Sequence, residues 1–118
     1  MQKNSSYNLG VDTESKTAGL YKNNNYQILA SRYKCPYVGE VDIIAEKNNT
    51  LAFIEVKARK QQNTAYPVIQ KKQQDRIRNT AEYFLGDHPK YQNHNIRFDL
   101  AIMDLSKAES FEIIENAF

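Results

Sequence analysis

Two apolar runs separated by a pair of asparagines form the clearest pattern in the chain. Residues 41 to 46 and 51 to 57 are rich in Val, Ile, Leu and Phe, and each reads as a β-strand. Asn48-Asn49 between them suits a two-residue hairpin turn with positive φ angles. With the turn centred there, paired residue numbers sum to 97, so Asp42 falls opposite Glu55 and Glu40 opposite Lys57. Directly opposed Cβ atoms lie roughly 5 Å apart. Because side chains alternate along a strand, Glu40, Asp42, Glu55 and Lys57 are expected on one face and Val41, Ile43, Ile54 and Val56 on the other.

The flanking segments carry different periods. Residues 12 to 24 read as a helix with Glu14, Ala18 and Tyr21 on one stripe. Residues 26 to 34 read as a strand that turns through Cys35-Pro36-Tyr37 into the hairpin. After a polar loop at 60 to 67 that ends in Pro67, residues 68 to 86 predict a long helix whose stripe is Ile69, Gln73, Ile77, Ala81, Phe84 and Leu85, with Gly86 as its stop. Residues 96 to 105 alternate as a further strand, and residues 111 to 114 add a short edge strand. The order α-β-β-β-α-β predicts an α/β fold, a mixed β-sheet flanked by helices in two or three layers.

A chain of 118 residues suits one small domain, here 11 to 118, preceded by a polar segment at 1 to 10 that is expected to be flexible and lacks the apolar core of a signal peptide. A single cysteine, Cys35, forms no internal disulfide and fits a reducing cytoplasm. No apolar run approaches the roughly 18 residues of a membrane span. Net charge is only +2, but its distribution is uneven. Between Lys57 and Arg78, seven cations face Asp75 alone, a local net of +6 that leaves −4 for the rest of the chain. Arg59, Lys60, Lys71, Lys72, Arg76 and Arg78 are therefore candidate contacts to a nucleic-acid backbone, unless they form an ordinary solvated helix face.

The paired carboxylates invite chemistry. Two such charges about 5 Å apart repel by roughly 3 kcal/mol at an effective dielectric of about 20, enough to raise one pKa by about two units. Mg2+ or Mn2+, held by one or two carboxylates together with waters and phosphate oxygens, removes that penalty. A cross-strand salt-bridge ladder on a solvated face is the other reading. Leu51 and Phe53, on the face of Glu55 and Lys57, favour a covered site. Gln73 stands where an apolar residue is expected, and an unpartnered buried amide costs on the order of 1 to 3 kcal/mol, so a place near that site is expected for it. His88 and His94 lack a zinc spacing with Cys35 and read as surface residues, and no phosphate-loop or nucleophile-elbow motif is present. The tyrosines are dispersed, and none is assigned to base stacking.

Gly39-Glu40-Val41-Asp42-Ile43-Ile44-Ala45, then Leu51 through Arg59, then Arg97-Phe98-Asp99, resemble in order and spacing three blocks of the YraN-like family. Glu14, Ala18 and Tyr21 match its first-helix pattern, and Asn116-Ala117-Phe118 matches its usual ending. By motif that family sits with the PD-(D/E)xK nucleases, close to archaeal Holliday-junction resolvases. The resemblance implies a restriction-endonuclease-like core acting on DNA, possession of Mg2+ or Mn2+ at Asp42 and Glu55, a water-positioning role for Lys57, and tuning by Glu40 and Glu14. It also implies branched or structured DNA as substrate and a homodimer, because two symmetric cuts need two sites. Where such nucleases carry Pro-Asp this chain has Val41-Asp42. The family places a lysine near the start of the second helix; alignment from Val68 selects Lys72, alignment back from Ala81 selects Gln73, and the helical stripe favours Gln73 as the inward residue. Arg97 and Asp99 are expected to form an internal ion pair. A non-catalytic nucleic-acid-binding or scaffold protein retaining the fold is the alternative, and a role through protein contact alone is a third.

Overall fold

The computed structural model describes residues 5–59, 69–105 and 110–118, with side chains from residue 12 onward. A five-stranded sheet in the sequential order β1-β2-β3-β4-β5 forms the middle layer. Its strands are β1 (Gln27–Cys35), β2 (Gly39–Lys47), β3 (Thr50–Arg59), β4 (Asn95–Asp104) and β5 (Ser110–Ile114). All neighbours are antiparallel except β3 and β4, which run parallel from Thr50↔Asn95 to Arg59↔Asp104 because helix α2 (Lys71–Asp87) crosses between them. The sheet is thus mixed, as the order of periodic segments predicts. The hairpin register is also as expected: Ile43 pairs with Ile54, and Asn48 and Asn49 take φ of 49° and 63°.

Period-2 patterning divides the core between the two faces. Ile44, Leu51 and Phe53 pack with Ile77, Ala81 and Phe84 of α2, whereas Ile43, Ala45, Ala52 and Ile54 pack with Tyr21 of the first helix, α1 (Ser5–Asn23). The helices therefore cover opposite faces, giving three layers. Both faces of β2 and β3 are buried, so these strands read as nearly continuous apolar runs. Gly39 is a point of close approach between β2 and α2. A Cβ there would meet Thr80 Oγ1 at 2.8 Å and the Arg76 backbone oxygen at 3.2 Å.

Several boundaries differ from expectation for identifiable reasons. Helix α1 begins at Ser5, well before residue 12, and takes in much of the segment read as flexible; its first turns hold Gly10, a poor helix former, among polar residues. Its fully buried line runs through Thr13, Thr17 and Tyr21, with Thr17 donating to the Thr13 carbonyl at 2.8 Å, so Glu14 and Ala18 lie beside that line. Helix α2 starts at Lys71 after an extended Gln70, and Ile69 packs instead with Leu100 and Ile102. Gly86 lies inside the helix. The stop comes from His88 and Pro89, with the His88 backbone N–H donating to the Leu85 carbonyl.

Candidate active site

Glu55 and Lys57 continue the α2-covered face that Leu51 and Phe53 begin. The β2–β3 ladder runs from Lys47↔Thr50 to Ile43↔Ile54, and at the next step the Asp42 carboxyl accepts the Val56 N–H at 2.8 Å. A side chain there takes the place of a backbone partner and holds the Asp42 carboxyl close enough to that of Glu55 for the two to act on each other. This change at the ladder's end corrects two expectations. Val41 packs on the α2 side with Ile44 rather than with Ile43, and Glu40 pairs with Lys34 on β1 rather than opposing Lys57. Glu40 is exposed at the rim.

Lys57 finds other partners. Its Nζ lies 3.4 Å from Glu55 Oε2 and donates to Gln73 Oε1 at 3.5 Å, while Gln73 Nε2 donates to Glu55. One amide from α2 thereby ties the acid to the lysine. This is the inward position that helical geometry predicts for Gln73, and Lys72 is exposed. Glu14 approaches from the α1 side, where it accepts from Arg32 Nε at 2.8 Å, and its charge acts on Asp42. Arg32 was not foreseen as its anchor; it has φ of 54° in the irregular first strand, which no periodic signal marks.

Burial sets the electrostatics. Loss of solvent pushes the Asp42 carboxyl up to about 8, reinforced by the Glu55 charge and more weakly by Glu14, against the opposing Val56 N–H. Burial also raises Glu55, an effect that Lys57 partly offsets. The pair therefore holds a shared proton more tightly than free carboxyls do. Unfolded, these carboxyls release their protons near pH 4, so between about pH 4 and 8 the folded protein binds more protons and loses stability as pH rises. Urea melts in chelator are expected to show this decline, and Asp42→Asn to flatten it. Equal slopes in the two proteins would disprove the shared proton.

The donor set suits a hard divalent cation. Two carboxylates that burial makes reluctant to ionise gain most when a cation replaces the proton. Among the described residues no group of three or more His, Cys, Asp or Glu side chains forms a cage, so a bound ion would draw the rest of its shell from water and substrate oxygens, as Mg2+ commonly does.

A family model described as uncharacterised protein family UPF0102 matches residues 13–103, a span that includes Glu14, Asp42, Glu55, Lys57 and Gln73. The chain belongs to this YraN-like family. A UPF0102 protein of Nitrobacter winogradskyi is 38% identical over 97 residues, 82% of this chain and 81% of the relative. One from Bradyrhizobium diazoefficiens is 37% identical over 97 residues, 82% and 72% of the two chains. One from Ehrlichia ruminantium is 48% identical over 81 residues, 69% and 61%.

The basic residues of this YraN-like chain do not form one uniform surface. Arg59 is paired with Asp104 at 3.4 Å, Lys71 with Asp75 at 2.6 Å, and the Arg78 guanidinium lies 4.7 Å from the Phe98 ring centre and 5.8 Å from that of Phe118. Lys72 and Arg76 are exposed, and Lys60 lies outside the described residues. Arg97 and Asp99 form the expected internal pair. Fully buried Asp99 accepts from Arg97, from the Tyr21 hydroxyl at 2.8 Å and from the Asn116 N–H at 3.1 Å. Both histidines are half-buried rather than surface residues: His88 stacks on Phe84, and His94 contacts Glu46. No described helix is long and apolar enough to cross a membrane.

Proposed function

We propose that this protein is a metal-dependent nuclease that hydrolyses phosphodiester bonds of DNA on a restriction-endonuclease-like core. The observation that carries the reading is the meeting of Asp42, Glu55, Lys57 and Gln73 at one ladder end, with both carboxyls raised by burial. A salt-bridge ladder on a solvated face would leave its acids ionised and exposed. These are neither.

Asp42 and Glu55 would hold Mg2+ or Mn2+, which when bound supplies Lewis-acid neutralisation of charge at the phosphate and a more acidic attacking water. Lys57 directs its ammonium at the reacting groups from beside Glu55, where it can orient the water and stabilise negative charge as it develops. Gln73 keeps that ammonium and the Glu55 carboxylate in register through its two amide ends. Glu14, held by Arg32, tunes Asp42 through its charge. Exposed Lys72 and Arg76 attract the phosphate backbone along the outside of α2.

The deciding assay incubates the purified protein with linear, single-stranded, flapped and four-way DNA in Mg2+, Mn2+ or chelator. Divalent-dependent cleavage of at least one substrate is expected. Absence of cleavage from all of them would leave a scaffold that retains the fold. Within the nuclease reading, Gln73→Ala is expected to slow cleavage with little change in the salt dependence of binding, whereas Lys72→Ala flattens the log-log salt slope by about one. A cleavage loss confined to Lys72→Ala, with its slope unchanged, would move the lysine into the site.

A further inference from the structure

Beside the acidic pair lies an open groove of about 650 Å³, bounded by the β1–β2 turn on one side and by Gln73 and Arg76 of α2 on the other. It shares Gln73 with the active site and carries two cations, Lys34 and Arg76, against Glu40. At its edge stands Tyr37, fully exposed. The turn holding it is tight: the Val38 N–H donates to the Cys35 carbonyl at 3.0 Å, Pro36 occupies the first central position, and Tyr37 takes φ of 66° in the second. That conformation is natural to glycine and asparagine and strained for an aromatic residue. Neither the turn nor the core accounts for a tyrosine there.

We propose that Tyr37 is a stacking platform for an unpaired base, so that this site takes DNA whose bases next to the cut are unstacked. The inference rests on the nuclease reading and adds the substrate class. A base inside a continuous duplex has both faces covered by its neighbours and offers none to a protruding ring. A base in a single strand, a flap or a junction arm offers one. Pro36 and the turn hydrogen bond already fix the backbone beneath the ring, so little order remains to be imposed when a base docks. Lys34 and Arg76 flank the same groove as cations for the adjoining phosphates.

The test measures binding apart from cleavage. Fluorescence anisotropy in chelator compares a labelled single strand with a blunt duplex of the same sequence, using the full chain and its Tyr37→Ala and Tyr37→Trp variants. Tyr37→Ala is expected to weaken single-strand binding roughly 5- to 100-fold, far more than duplex binding, and Tyr37→Trp to restore it. Equal losses on both DNA forms, no loss on either, or failure of the unmodified protein to bind the single strand would overturn the proposal. Thermal melts of each variant check that the exposed substitution leaves the fold intact. The two readings fail separately: divalent-dependent cleavage indifferent to Tyr37 removes only the stacking role, whereas a selective binding loss without cleavage of any substrate removes only the hydrolytic one.

Discussion

Asp42→Ala and Glu55→Ala are each expected to abolish Mn2+ binding and all DNA cleavage. With two carboxylates proposed as the cation's anchors, deleting either leaves one, and most of the electrostatic assistance the ion would give at phosphorus goes with it. The two variants differ in their effect on the fold. Deleting the Asp42 carboxyl relieves a poorly solvated charge but strands the Val56 N–H, and a donor left without a partner costs about 1–3 kcal/mol. Repulsion between the acids alone predicts no destabilisation. The extra hydrogen bond changes that expectation, and Asp42→Asn, which keeps an acceptor for Val56, separates metal loss from fold loss. Titration calorimetry with Mn2+ is the measurement. Unchanged metal affinity in both alanine variants would remove the site.

Lys57→Ala is expected to retain metal and DNA binding while cleavage falls about 100- to 1,000-fold, the scale for losing one preorganised charge-stabilising donor. In the proposed reaction its ammonium acts on charge that develops in the transition state, so the loss should appear in kcat rather than KM. Nearby Gln73 and Glu55 remain to hold the rest of the site together. Single-turnover rates measured beside binding isotherms decide the matter. A parallel fall in both would make Lys57 a phosphate anchor.

Much of this arrangement was legible because strands and hairpins obey short-range rules. Asn48-Asn49 sets the turn, the turn sets the register, and the register carries Glu55 and Lys57 onto the same face as Phe53. Gln73 was legible through helical spacing. The departures arise where a side chain competes with the backbone or where contacts are distant in sequence. The Asp42 bond to Val56 lies beyond the ladder's last pair and separates Val41 from the face of Ile43. Arg59 resembled a phosphate contact because its partner, Asp104, is 45 positions away in sequence. Tyr37 could not be singled out among eight tyrosines without its exposure and its φ.

At Gly39, β2 and α2 touch almost without an intervening side chain, and this contact fixes the helix against the strand that carries Asp42. The seat of Gln73 over Glu55 is therefore gauged by direct contact between layers, not by how many residues link β3 to α2. A side chain added at position 39 would disturb the seat of Gln73 over Glu55 together with the packing of the two layers.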